Sequence, residues 1–342
     1  MKKKIAITLG ILFLMLCIIG YSFYRKIYAP NVKETVSVFI PAGTTIKELI
    51  PILDPYIRNM NGFIWVAEKK NYPNKIRPGK FRITEGMNND ELINHLRGGK
   101  AETITLTFNN QDSFEKLAGR VAMQIEADSA ALFEAFKDID FIARNGFTPE
   151  TALAMYIPNS YDFYWNTNPV EFRDRMLTEY KRFWTDARME KAKAQNLNPI
   201  QVATLASIVQ KETAIIEERK TVAGLYLNRL HDFWPLQADP TIIFALKQKY
   251  GQEKEFKRVL NKDLDIDSPY NTYANFGLPP GPIGMPDISS IDAVLNPEGH
   301  KFYYMCASVE KIGYHKFAKT LREHNKNAAE YQRWVSQQGI NR

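Results

Sequence analysis

An uncharged run of twenty residues, Ile5 to Tyr24, follows Met1-Lys2-Lys3-Lys4 and precedes Arg25 and Lys26. At about 1.5 Å per residue, a helix of this length spans roughly 30 Å, one bilayer core. Such a segment satisfies its backbone internally as a helix, so the first thirty residues fold apart from the rest. A cleaved signal peptide has a shorter apolar core and a small-x-small exit, and neither is present. Cys17 raises the question of a lipoprotein, but Leu16 before it is too large for that processing. The run reads as a retained anchor. Three lysines and the amino terminus outweigh two basic residues, which favours a cytoplasmic N-terminus and a body outside the cytoplasm.

The 342 residues allow two or three domains, and 45% hydrophobic content supports packed cores. Of the net charge of +7, five positive charges (Lys2, Lys3, Lys4, Arg25, Lys26) flank the anchor, leaving 7 − 5 = +2 for the body. A body so nearly balanced lacks the basic stripe of a nucleic-acid binder. The five histidines (His95, His231, His300, His315, His324) have no metal-ligand spacing, and no glycine-rich phosphate loop occurs, so neither metal nor cofactor is expected. Cys306 is the one cysteine beyond the anchor, so the body forms no internal disulfide.

Between Val36 and Ala118 a strand–turn–helix unit occurs three times. The strand candidates are Val36–Ile40, Phe81–Thr84 and Ile104–Phe108. The capping boxes are Thr45 with Glu48, Asn88 with Glu91, and Asp112 with Glu115. A small domain of paired strands and flanking helices accounts for them. From Phe114 to Ala194 the pattern is mainly helical, interrupted by a loop from Tyr156 to Trp165 whose aromatics either stack on sugars or plug a core. Pro199 suits the first turn of a helix. Glu217–Leu230 reads as the next helix, and Asp239-Pro240 as N-cap and N1 of another, Thr241–Lys249. An irregular stretch, Asp263 to Asp287, is long enough to carry function. Phe302–Ala307 and Tyr314–Ala318 read as a strand pair, before a closing helix capped by Thr320 and Glu323.

In the helix after Pro199, Val202, Leu205, Ala206 and Val209 form an apolar stripe whose next place falls on Glu212 or Thr213. A carboxylate on a buried stripe loses hydration and holds its proton towards neutrality, as the general acid of a glycoside-cleaving enzyme must. The plainer reading makes Glu212 a solvated last-turn residue.

The string Leu205–Thr213 resembles the signature of the YceG-like family of endolytic murein transglycosylases. In the same order follow Asn228-Arg229-Leu230, Leu236–Thr241, Tyr270-Asn271-Thr272-Tyr273, Gly277–Ile283, and His315-Lys316-Phe317 with Glu323-His324-Asn325. The resemblance covers nearly the whole chain. It implies an α+β architecture: a cytoplasmic tip and transmembrane anchor over 1–30, a small LysM-like domain over 31–110, and a helix-rich mixed catalytic domain over 111–342. The implied reaction cleaves the β-1,4 bond between N-acetylmuramic acid and N-acetylglucosamine in peptidoglycan strands, leaving 1,6-anhydro ends. The implied partners are those strands, the membrane and peptidoglycan synthases.

The family's catalytic glutamate maps onto Glu212. Its usual preceding acid is Gln210 here, which makes position 210 dispensable for the chemistry. A second departure is Leu153–Tyr161, where the family often carries a glutamate, so a substrate contact there is in doubt. Gln237, Asp239, Tyr270, Asn271, Tyr273 and Gly281 are the candidate substrate-binding residues. Each has a structural alternative. Asp239 is an N-cap or a ligand contact, Tyr270 and Tyr273 bind or pack, Asn271 binds or holds its loop, and Gly277–Pro282 shapes the cleft wall. His315 reads as structural. An ordinary muramidase needs a second placed carboxylate, for which Asp239, Glu217 and Glu218 offer themselves.

Overall fold

In the computed structural model, which describes residues 2–256 and 258–337, the chain opens with one long helix, α1 (Lys2–Tyr28). α1 is long and apolar enough to cross a membrane, and its apolar window is exposed. The rest is a helix-rich α+β chain that divides into two compact units. The first runs to Leu106 and adds Ala122–Ala127 and Tyr161–Asn168; the second holds Thr107–Val121, Asp128–Ser160 and the chain from Pro169 on.

The small unit contains β1 (Val36–Ile40), α2 (Ile46–Leu53), α3 (Met60–Lys69), β2 (Gly79–Ile83) and α4 (Asn89–Gly98). β1 and β2 pair antiparallel, with Val38 opposite Phe81 and Ile40 opposite Gly79. Val38, Ile40, Phe81 and Ile83 point inward, whereas Phe39 between them is 41% exposed. Leu49, Phe63, Val66, Leu92 and Leu96 cover that face from the helices. The α4 box forms as the sequence predicts: Asn88 Oδ1 accepts from Glu91 N–H and Glu91 reaches back to Asn88 N–H.

β3 (Thr103–Phe108) pairs with a strand, β4 (Asn159–Tyr164), where the sequence reads as a loop. The aromatics there alternate as a strand requires: Phe163 is buried and Tyr164 is 46% exposed. In between lie α5 (Phe114–Ala122), α6 (Ser129–Phe136) and α7 (Ile139–Arg144). Asp112 does not cap α5. Ser113 is the residue before that helix, and Asp112 instead accepts from Lys211 Nζ at 2.6 Å.

The large unit continues with α8 (Pro169–Phe183), α9 (Asp186–Ala194), α10 (Pro199–Glu212), α11 (Arg219–His231), α12 (Asp239–Tyr250) and α13 (Ile288–Leu295). It closes with the hairpin β5 (Tyr304–Ala307) and β6 (His315–Ala318), then α14 (Leu321–Gln337). α10 is the axis of this core. Asn198 caps it, Pro199 starts it, and Gln201 returns a bond to Asn198 N–H. Val202 to Val209 are all buried, and the two polar residues among them, Thr204 and Ser207, turn their hydroxyls back onto Ile200 O and Thr204 O. α11 begins at Arg219, after a short 3-10 turn at Ile216–Glu218.

Candidate active site

α10 ends at Glu212, and Thr213 after it is already extended. The side chain therefore leaves the helix C-terminus and enters a cavity of about 430 Å³, walled also by Tyr226, Arg229, Gln237, Asp239, Tyr273 and His315. Glu212 keeps a partly exposed face, but its carboxyl is withdrawn from bulk water, and this burial raises its pKa to about 7. The Tyr226 hydroxyl donates to Glu212 Oε1 at 2.6 Å and holds the value down, as do His315 and Arg229, while Asp239 pushes it up. Tyr226 is itself fully buried beside that carboxylate, which keeps its phenol protonated and a donor.

Three candidate residues join Glu212 in this cavity: Gln237, Asp239 and Tyr273. Asp239 is the first residue of α12, not its cap, and no side chain caps that helix. Its carboxylate accepts from the Tyr273 hydroxyl at 2.5 Å. Gln237 has φ +49°, a left-handed backbone rarely adopted by a residue with a Cβ. Its N–H donates to Thr272 O at 3.0 Å, Ala238 N–H donates to Thr272 Oγ1 at 3.0 Å, and the Thr241 and Thr272 hydroxyls meet at 2.8 Å. The two strings Leu236–Thr241 and Tyr270–Tyr273, apart in sequence, are thus laced into one wall.

The other three candidates are engaged elsewhere. Asn271 is 1% exposed; its amide donates to Leu264 O and Ile266 O, and its carbonyl accepts from Tyr273 N–H. Tyr270 packs on Phe244, ring centres 4.6 Å apart, and lines a separate cavity with Asp112 and Glu150. Gly281 passes so close to Glu150 that a Cβ there would lie 2.1 Å from its carbonyl oxygen.

His315 lies on the cavity edge as well. The buried Glu218 carboxylate receives both its N–H, at 2.6 Å, and its Nδ1, at 2.9 Å. Glu218 is thereby spent on the histidine and lies off the cavity wall, and Glu217 does not line it either. Of the carboxylates open to a second role, Asp239 alone among the described residues shares the cavity with Glu212. Gln210 braces α10 to the start of α13, accepting from Asp287 N–H at 2.5 Å and Ser290 Oγ at 3.3 Å.

Sequence reasoning passed over Tyr226, Arg229, Tyr304 and His324, all on the cavity wall. Tyr226 left a signal: it sits on the buried stripe of α11 with Val222 and Leu225, and a buried phenol needs an acceptor. Arg229 donates to Tyr303 O at 2.8 Å and Leu236 O at 2.5 Å, tying the strand hairpin to the Gln237 wall. His324 stacks on Tyr304, ring centres 5.4 Å apart.

The model of the YceG-like family matches residues 38–330. The endolytic murein transglycosylase of Bacillus subtilis is 30% identical over 319 residues, covering 87% of this chain and 85% of its own length. Its namesake from Streptococcus pneumoniae is 29% identical over 344 residues, covering 91% of this chain but 62% of that longer protein. The 2.6 Å crystal structure of a protein described as yceG-like from Listeria monocytogenes aligns over 86% of this chain and 98% of its own, with a TM-score of 0.57 and 28% identity. With a match from residue 38 to residue 330 and relatives that are enzymes by name, the chain is an enzyme and belongs to the YceG-like family.

Proposed function

We propose that this chain is a membrane-anchored lytic transglycosylase. In this reading it cuts the β-1,4 bond between N-acetylmuramic acid and N-acetylglucosamine inside peptidoglycan strands. The observation that carries the reading is the Glu212 carboxyl, raised to about 7 by burial and hydrogen-bonded by Tyr226 in a cavity. Such a group is half protonated near neutrality, where a general acid works best.

Glu212 protonates the oxygen linking the two sugars as the bond to the muramic acid C1 breaks. The resulting carboxylate is stabilised by the Tyr226 hydroxyl. It then takes the proton of the C6 hydroxyl, whose oxygen attacks C1 and closes the 1,6-anhydro ring. One carboxylate suffices, because the substrate brings its own nucleophile at high effective concentration. Gln237, Asp239 and Tyr273 present an amide, a carboxylate and a phenol to the sugars from one wall.

The same reading divides the chain into an anchor over 1–30, a LysM-like domain over 31–110 that binds glycan, and a catalytic domain over 111–342. The catalytic domain works on the outer face of the cytoplasmic membrane, on strands that peptidoglycan synthases supply. Mass spectrometry of products made in ¹⁸O-water tests the reaction. Ring closure leaves unlabelled muramic acid ends, lighter by one water, and endolytic cutting gives long early fragments. Labelled reducing ends would instead make the chain a muramidase, with Asp239 as the second carboxylate.

A further inference from the structure

A cavity of about 510 Å³ opens in the small unit beside the end of α1. Ile18, Tyr21, Arg25 and Lys26 of α1 line one side, and Arg58 and Asn89 line the other. No carboxylate lines it. Lys26 is occupied, its ammonium lying 5.7 Å and 5.5 Å from the ring centres of Phe23 and Trp65. The Arg25 and Arg58 guanidinium groups have no ion pair among the described residues.

The walls are fixed before any ligand arrives. Asn89 Nδ2 donates to Lys26 O at 2.8 Å, Asn31 Nδ2 to Asn89 Oδ1 at 2.6 Å, and Asn59 N–H to Asn31 Oδ1 at 2.7 Å. Phe23 stacks on Trp65 at 5.2 Å, which ties α1 to α3. Tyr21, Tyr24 and Tyr28 stand exposed on α1 at this level, the residue type that collects at a membrane–water boundary. Ile18 and Arg25 are seven residues apart, roughly 10 Å along the helix, so the cavity runs from an apolar to a cationic end.

We propose that this cavity binds the phosphate of an anionic phospholipid headgroup, with Arg25 and Arg58 as its ligands and Ile18 and Tyr21 against the first acyl methylenes. Guanidinium groups pair with phosphate through parallel N–H donors. A zwitterionic choline headgroup brings a cation into a cavity lined by cations and no carboxylate, so the site selects net negative lipids. The inference rests on the membrane anchor and is independent of the glycan chemistry.

The full chain in a non-ionic detergent is titrated with phosphatidylglycerol, phosphatidylcholine or inorganic phosphate and read by native mass spectrometry. Phosphatidylglycerol should be retained at least tenfold better than phosphatidylcholine. The double variant Arg25→Gln/Arg58→Gln should lose that preference while keeping the parental circular dichroism spectrum and melting temperature. Equal retention of the two lipids, or an unchanged preference in the variant, would overturn the proposal. Retention of millimolar inorganic phosphate as tight as that of the lipid would make the cavity a free-anion site and also overturn it. Flotation with vesicles separates the two readings: a chain that floats with neither lipid lacks the anchor, whereas one that floats with both and shows no selectivity lacks only the site.

Discussion

Glu212 carries its proton at the last residue of α10, where burial and the negative end of the helix dipole both disfavour the carboxylate. The folded pKa of about 7 lies above the 4.5 of the free side chain, so the folded protein binds an extra proton between those values. Below pH 4.5 the group is neutral in both states; as pH rises towards 7 the folded state alone resists ionisation and loses stability. Glu212→Gln removes that titration. It should cut turnover at least about a hundredfold, while raising stability above pH 7 by about 1–3 kcal/mol over wild type and by nothing at pH 4. Denaturant melts at the two pH values check this, and an equal gain at both would refute the titration argument. Tyr226→Phe takes away the donor that favours the ionised form. The loss of activity on the alkaline side should then move up by about one pH unit, with lower turnover throughout. A pH–rate profile displaced downward would place Tyr226 in a different role.

At the scale of elements, the decisive pieces are connections. Gly281 crosses Glu150 with no room for a methyl group, so Gly281→Ala should destabilise the large unit by about 3 kcal/mol or more. Gln210→Ala should cost about 1–2 kcal/mol, because it leaves the Asp287 N–H and Ser290 without their acceptor, and should spare activity per folded molecule. Thermal melts beside specific activity separate the two effects. Much of the element pattern is legible in the residues: the Pro199 helix start, the Asn88–Glu91 box and the Phe302–Ala318 hairpin all follow from local chemistry. β4 is not, because an Asn- and aromatic-rich segment becomes a strand only when a partner with free edge groups lies beside it. Local rules also misplace Asp112 and Asp239. Each looks like a cap but bonds a side chain far along the chain, Lys211 or Tyr273. The site itself is legible at Glu212, since a broken apolar stripe is a local signal. Its wall is not, because Tyr226, Arg229 and the left-handed Gln237 are assembled by tertiary packing.

Across the whole molecule, two separate cores should melt as separate events. A differential scanning trace of the full chain should resolve two transitions, and activity should vanish with the one that belongs to the large unit. The unbroken burial of Val202 to Val209 bears on how that loss happens. A helix shielded on every side exposes its amides to solvent only when the surrounding core opens, so these amides should exchange for deuterium by global unfolding, the slowest route open to the protein. Glu212 continues the same helix three residues beyond that buried run. Local breathing of loops cannot displace it, and the acid should stay aimed until its unit comes apart. Warming should therefore give an activity that rises smoothly and then collapses within the width of the melt, with no range of temperatures in which a folded enzyme is idle.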